Sequence, residues 1–137
     1  MPNLAFAGLL DGGWRDLAFE HFRDGISVHW LLKGGPVEPS VAILKYRPGA
    51  GVPRHRHVGL ETIVVLEGNQ SDENGDYAAG SVILNPVGTD HSVWTKDGCV
   101  VLIQWDLPVI IWGRTNERNP LRHSEPARSL SGRPRRW

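Results

Sequence analysis

The sequence predicts an all-β fold, either a sandwich or a barrel, and three observations support this. Glycine and proline interrupt the chain at short intervals, with 16 Gly and 10 Pro among 137 residues. Pairs such as Asp24-Gly25, Asn74-Gly75 and Asp97-Gly98 favour the tight turns that join neighbouring strands. The segments between these turns are short and rich in β-branched and aromatic residues. Beyond the first twenty residues, no ten-residue segment has a helical period.

The predicted strands follow one another along most of the chain. They cover residues 17–22, 26–32, 41–47, 61–67, 81–84, 91–95 and 100–105, with 109–112 as a further candidate. Residues 63–66 and 100–103 are apolar at every position, which is typical of strands that are buried on both faces. The second face could be covered by a partner subunit, which predicts a homodimer, or by residues 1–30 of the same chain.

Charge is distributed unevenly along the chain. Residues 1–113 contain 8 basic and 13 acidic side chains, a net charge of −5, whereas residues 114–137 contain 7 Arg and 2 Glu, a net charge of +5. An acidic body argues against a nucleic-acid-binding face. We therefore expect one barrel domain with its N-terminal strands over residues 1–113, followed by an Arg-rich, disordered tail over residues 114–137.

Three observations indicate the cellular compartment. No apolar run approaches the ~20 residues of a membrane span. The apolar start of the chain has no basic lead-in of the kind found in secretory signals. The single cysteine, Cys99, excludes an internal disulfide framework and fits a reducing environment. The sequence thus predicts a cytoplasmic protein without a membrane partner.

Four residues in the middle of the chain could carry chemistry: His55, His57, Glu61 and His91. Residues two apart on a strand point to the same face, which brings His55 and His57 together. Glu61 has the same parity and would share that face if the strand continued past Gly59. Imidazole nitrogens and a carboxylate suit a divalent transition metal such as Fe, Zn, Mn or Ni.

The spacing around these residues matches two paired motifs. The first reads Gly, five residues, His-x-His, three residues, Glu, six residues, Gly, at Gly49, His55, His57, Glu61 and Gly68. The second reads Gly, five residues, Pro-x-Gly, two residues, His, at Gly80, Pro86, Gly88 and His91. Together they resemble the motifs of the cupin superfamily, although Thr95 stands where that family usually has Asn. The resemblance implies a single jelly-roll (double-stranded β-helix) barrel with one metal ion held by the same four residues.

Neighbouring segments narrow the resemblance further. The stretch Arg54-His55-Arg56-His57 and residues 72–77 are similar to the cupin domain of zinc-binding anti-sigma factors of the ChrR type, and to small acetylacetone-cleaving dioxygenases. Two hypotheses follow. One is a metal-dependent, non-haem Fe(II)-type dioxygenase, or a related enzyme, acting on a small oxygen-rich substrate. The other is a non-catalytic zinc-binding sensor. Because such anti-sigma factors carry an N-terminal helical zinc domain, and the chain has no room for one before the barrel, we expect no sigma-factor binding by that route.

Parity also suggests which side chains face the metal-bound ligand. Residues that share a face with Glu61 or His91 are expected to line its pocket: Ile63, Val65, Val93 and Thr95. Three tryptophans, Trp30, Trp94 and Trp105, could line or cover that pocket or pack in the core. The expected partners are therefore a small-molecule ligand or substrate and a second copy of the chain.

Overall fold

The computed structural model describes residues 2–111 and 135–136. Within these residues the secondary structure is almost entirely β, apart from one 3-10 turn at Gly13–Asp16. The strands are β1 Glu20–Arg23, β2 Ile26–Leu32, β3 Ser40–Tyr46, β4 Gly51–Arg56, β5 Glu61–Asp72, β6 Gly75–Ala78, β7 Val82–Asn85, β8 Asp90–Trp94, β9 Cys99–Trp105, β10 Ile110–Ile111 and β11 Arg135–Arg136. The all-β prediction is confirmed.

The strands form one curled antiparallel sheet, in the order β1-β2-β3-β9-β5-β8-β4-β10-β11. Strand β5, which is 12 residues long, pairs with different strands along its two halves. Its first part pairs with β9 and β7, and its last residues pair with β6 and β8. The sheet thereby closes over itself and encloses an interior that both halves line.

The wall formed by β3, β9 and β5 buries apolar side chains on both faces. The interior cluster includes Val65 and Val101, whereas Ile43 and Val100 point outward and pack against Trp14. Trp14 is 5% exposed, so residues of the N-terminal segment cover this outer face within the same chain. Of the two coverings that the sequence allows, the intramolecular one is present. The homodimer stays a prediction.

Two strands were missed by the sequence prediction, and one extends further than expected. Strand β4 contains glycine, proline and two arginines, and β6 contains glycine and aspartate, so neither has the composition of a strand. Strand β5 continues to Asp72 across a bulge between Val65 and Glu67. Because Asp72 pairs with Gly75, the hairpin turn lies at residues 73–74, one residue earlier than the Asn-Gly pair predicted.

The end of the chain is described only in part. Residues 112–134 and 137 lie outside the described residues, and with them most of the expected disordered tail and the end of the candidate strand at 109–112. The backbone of Arg135–Arg136 forms β11, which pairs with β10. Among residues 2–111 and 135–136 there is no helix with the length and hydropathy of a membrane span.

Candidate metal centre

The three histidines come from β4, from the residue just beyond it, and from β8. His55 lies directly opposite His91 in the antiparallel β4–β8 pair. His57 follows the last residue of β4, and its backbone N–H donates to the Thr89 carbonyl at 2.9 Å. The Gly88 N–H donates in turn to the His57 carbonyl at 2.8 Å. The turn before β8 therefore fixes His57 beside His91.

Glu61 reaches the histidines from the other half of the barrel. It is the first residue of β5, and its strand neighbours are Asn85 and Trp105. The condition under which Glu61 would share a strand with His55 is not met, because β4 ends at Arg56 and a new strand, β5, begins at Glu61. Glu61 still joins the cluster, since the two strands face each other across the interior.

All four side chains converge on one buried point. One possible ligand atom from each of His55, His57, Glu61 and His91 lies within 4.8 Å of the others. The imidazole centroids are 4.7 to 5.0 Å apart. Each of the four residues is at most 4% exposed. The cluster could hold a metal ion, because several ligand atoms meet at a short common distance away from water.

The outer nitrogen of each imidazole is occupied by a fixed partner. Nδ1 of His55 lies 2.9 Å from the Pro53 carbonyl, and Nδ1 of His57 lies 3.1 Å from the Thr89 carbonyl. Nδ1 of His91 lies 3.1 Å from Oδ2 of Asp72. Carbonyl and carboxylate oxygens only accept hydrogen bonds, so Nδ1 carries the proton and Nε2 the lone pair. This arrangement is typical of histidines that bind metals.

The inner atoms of the cluster lack the partners that buried polar groups normally have. Nε2 of His57 and Nε2 of His91 are buried and make no hydrogen bond. The His57 Nε2 lies 3.1 Å from Oε1 of Glu61, but the contact does not have hydrogen-bond geometry. The Asn85 side-chain N–H donates to the same Oε1 at 2.9 Å. Unpaired lone pairs beside a held carboxylate fit a bound cation.

The electrostatics of the metal-free site follow from burial. Burial lowers the pKa of His55 to about 4, which favours the neutral imidazole that a metal needs. Burial alone would raise the pKa of Glu61. The positive charge of a protonated His57, with smaller contributions from His55 and His91, would nevertheless bring that pKa below its ordinary value. Neutral imidazoles and an ionised carboxylate are the protonation states that bind divalent metals.

The four residues predicted to line a pocket are all buried, but their surroundings differ. Ile63, Val65 and Val93 belong to the interior apolar cluster. Thr95 holds a turn instead: its hydroxyl donates to the Asn69 carbonyl at 2.7 Å and accepts from the Gly98 N–H at 3.0 Å. Contact of these residues with a ligand stays a prediction.

The tryptophans divide between the two possibilities that the sequence left open. Trp30 and Trp105 pack with Phe22 at centroid distances of 5.8 to 6.2 Å. Together these three line an open cavity of 390 Å³. Trp94 is 42% exposed and lies elsewhere on the surface. Trp105 is opposite Glu61 in the β5–β9 pair. Trp105 therefore connects the wall of the cavity with the strand that carries Glu61.

Sequence reasoning missed the residues that hold the ligands. Asp72, Asn85 and Thr89 each contact one of the four side chains. Asn85 and Thr89 stand within the second motif, at the two ends of the turn at Pro86, so their proximity to the site could have been inferred. Asp72 gave no such signal, because its strand was expected to end at residue 67.

Comparison with known proteins places this site in a family. The sequence matches the family described as ChrR Cupin-like domain over residues 13–106, more than half of the chain. The anti-sigma-E factor ChrR of Cereibacter sphaeroides is 31% identical over 93 residues, which cover 60% of this chain and 44% of that relative. The chain thus spans less than half the length of that curated relative.

Solved structures agree on the barrel. In the complex of Rhodobacter sphaeroides SigE with the anti-sigma ChrR, the similar chain is 28% identical, with a TM-score of 0.61 over 76% of this chain and 58% of that chain. An acetylacetone dioxygenase from Acinetobacter johnsonii has a TM-score of 0.63 at 17% identity and covers 69% of this chain and 72% of its own. An RmlC-like cupin from Ralstonia eutropha has a TM-score of 0.65 at 17% identity over 72% of this chain and 69% of its own. The last two show the fold alone. The jelly-roll cupin barrel is confirmed, and the chain belongs to the ChrR cupin-like domain family.

Proposed function

We propose that this chain is a metal-dependent enzyme of the non-haem Fe(II) dioxygenase type, or a related enzyme, acting on a small oxygen-rich substrate. Its metal ligands would be His55, His57, Glu61 and His91. The observation that carries the proposal is the buried convergence of these four side chains, with the Nε2 atoms of His57 and His91 unpaired. Buried polar atoms without partners are rare in folded proteins unless a water or an ion serves them.

The chain's own residues set the conditions of the site. The three imidazoles would present neutral nitrogens, and Glu61 would contribute one negative charge that Asn85 orients. A divalent ion bound there would retain open coordination positions for a chelating substrate, and iron would supply the redox capacity for dioxygen chemistry. The apolar interior would keep bulk water away from the reacting atoms.

Substrate entry is best explained by the aromatic cavity. Phe22, Trp30 and Trp105 form apolar walls, and the cavity volume of 390 Å³ admits a small molecule rather than a polymer. Trp105 would contact the carbon skeleton of a substrate whose oxygens reach the metal. The fold likeness to an acetylacetone dioxygenase is consistent with a β-diketone or enol substrate, although at 17% identity it concerns the fold.

A second candidate is a non-catalytic zinc-binding sensor or regulatory domain. It is favoured by the 31% identity to the anti-sigma-E factor ChrR, which exceeds the 17% identity to the dioxygenase. Zinc would occupy the same four ligands and would carry out no redox chemistry. Under this alternative a sigma factor is one class of partner to test, because the similar ChrR chain was solved in complex with SigE. A homodimer and a cytoplasmic location are predictions under both candidates.

The deciding experiment is elemental analysis of protein purified without a chelating tag, followed by oxygen-uptake assays after Fe(II) reconstitution with a panel of β-diketones and enols. We expect one iron per chain and oxygen uptake that is lost in His57→Ala. The matched control is His21→Ala, because His21 is exposed on β1. Stoichiometric zinc without oxygen uptake would support the sensor instead. Protein that binds neither metal would contradict both candidates.

A further inference from the structure

A second polar group lies inside the barrel beside the candidate metal centre. It consists of Tyr46, at the end of β3, and Gln70, in the last part of β5. Tyr46 is 4% exposed and Gln70 is 2% exposed. Burial raises the pKa of the Tyr46 hydroxyl, and the Gln70 side chain is close enough to lower that pKa in part. Neither residue belongs to the four candidate ligands, and neither contacts one of them directly through a hydrogen bond given by the structure.

Strand geometry places Gln70 on the face of β5 that looks toward His91. Asp72 is two residues further along β5, and side chains two apart share a face. Asp72 lies opposite Val93, a member of the interior cluster, and its carboxylate contacts Nδ1 of His91 at 3.1 Å. Gln70 therefore points into the same interior, one strand repeat away from a side chain that holds His91.

Tyr46 connects this group to the other side of the site. Burial is the main reason that the pKa of Tyr46 rises far above its ordinary value, and the nearby Cys99 and Glu61 raise it further. The Glu61 carboxylate is thus within electrostatic reach of the Tyr46 hydroxyl. The Tyr46–Gln70 group accordingly lies within reach of two elements of the cluster, Glu61 and the Asp72–His91 pair.

The amide nitrogen of Gln70 has no hydrogen-bond partner within the described residues. Its Nε2 is fully buried and makes no hydrogen bond. An unsatisfied buried donor costs about 1–3 kcal/mol, so a side chain of this kind is retained at a cost unless something else accepts its hydrogen bond. An aliphatic side chain of the same length would avoid that cost and fill the same space.

We propose that Gln70 is a ligand-orienting residue whose side-chain N–H donates to an oxygen of the molecule bound at the candidate metal centre. Tyr46 is a second buried polar side chain, and it belongs to the same interior cluster as Val93. The ligand class that this arrangement fits is a compact chelator with at least two oxygens, one for the metal and one, carbonyl or enolate, for Gln70. The inference rests on the proposed metal centre and adds a specificity-determining contact to it.

The test uses Co(II)-loaded protein with acetohydroxamate, a small two-oxygen chelator, as the probe. Co(II) affinity and probe affinity are measured separately by visible absorption in the wild type and in Gln70→Met, which keeps the length and removes the donor. We expect Co(II) affinity to change by less than about twofold and the dissociation constant of the probe to rise about tenfold. Gln70→Glu replaces the donor with an acceptor and should weaken the anionic probe at least as much. The matched control, Gln104→Met, changes a partly exposed residue on β9 and should alter neither affinity.

The outcomes separate this inference from the function on which it rests. Unchanged probe affinity in Gln70→Met, with Co(II) bound normally, would overturn the role of Gln70 and leave the metal centre intact. Loss of Co(II) affinity in both Gln70 variants would show a structural role and overturn the inference. Loaded wild-type protein that does not bind the probe would show that no position is open to such a ligand. Wild-type protein that binds no Co(II) would contradict the metal centre itself.

Discussion

The two faces of the β3–β9–β5 wall differ in composition, and the difference shows which residues stabilise the fold and which form the candidate site. The outer face packs against Trp14 and its neighbours, and all members of that cluster are apolar. The inner face combines apolar side chains such as Val65 with buried polar residues such as Glu61 and Gln70. The outer cluster stabilises the fold, because its apolar side chains are removed from water. The inner face also contains polar atoms without hydrogen-bond partners among the described residues, which are the Nε2 atoms of His57, His91 and Gln70.

The largest effect is expected from removing a candidate metal ligand on the inner face. His57→Ala should abolish stoichiometric metal binding, because His57 is one of the four converging residues and its buried Nε2 makes no hydrogen bond. Thermal stability should also stop responding to added metal, since a metal that binds only the folded state stabilises it. The measurement is a melting curve with and without Zn²⁺, beside metal analysis. A variant that keeps its metal would contradict the assignment of the site.

Removing Trp14 from the outer cluster should lower the stability of the fold and leave metal binding unchanged. Trp14→Ala is expected to reduce the free energy of unfolding by about 3–5 kcal/mol, as do other truncations of buried aromatic residues. Metal stoichiometry should be unchanged, because Trp14 packs against the outer residues Ile43 and Val100. Urea unfolding and metal analysis of the same preparation check both parts. Loss of metal from folded Trp14→Ala protein would show that the two faces are not independent.

A smaller effect is expected from Asp72, which holds one ligand from behind. Asp72→Asn should weaken metal binding about 10–100-fold, the usual range for residues that support a metal-binding histidine. The carboxylate accepts from Nδ1 of His91 at 3.1 Å, and an amide can present its N–H there and favour the wrong tautomer. Competition with a chromophoric chelator measures the affinity. Asp76→Asn is the matched control, since Asp76 contacts Ser71 and none of the four ligands. Equal affinities in the two variants would remove Asp72 from the site.

The smallest effect is expected from Thr89. Thr89→Val removes a hydroxyl that lies 3.0 Å from Nδ1 of His57, but the Thr89 carbonyl at 3.1 Å still accepts the same proton. We expect metal affinity to fall by roughly two- to fivefold, because a typical net hydrogen bond contributes about 0.5–1.5 kcal/mol and the retained carbonyl offsets part of that loss. The chelator competition used for Asp72 resolves this difference. A loss as large as that of Asp72→Asn would mean that the hydroxyl, rather than the carbonyl, orients His57.

The sequence predicted which four residues converge better than the route by which they meet. The positions of His55, His57 and His91 depend on a few turns. Such turns can be predicted from the glycine and proline residues of the sequence. The start of a strand at Glu61 was predicted, but parity with His55 applies only to an unbroken strand, and β4 ends at Arg56. Glu61 reaches the histidines because the barrel brings the two strands face to face.

The supporting residues were beyond sequence reasoning for a physical reason. Asp72 reaches His91 only because β5 crosses a bulge after Val65 and joins the second half of the sheet. A bulge changes which face a residue occupies, so parity counted from Glu61 fails beyond it. The apolar composition of residues 100–103 predicted that both faces of this strand are buried. The sequence did not predict that the segment around Trp14 covers the outer face, because that contact depends on tertiary packing.

The central claim is that the buried cluster is a metal site built from three imidazoles and one carboxylate. X-ray absorption at the metal edge of the loaded protein tests this most directly, because it counts the nitrogen and oxygen neighbours of the ion and detects the outer atoms of imidazole rings. We expect three imidazoles and at least one oxygen at about 2.0–2.2 Å for zinc. A spectrum with one imidazole or none, or one left unchanged by His57→Ala, would contradict it.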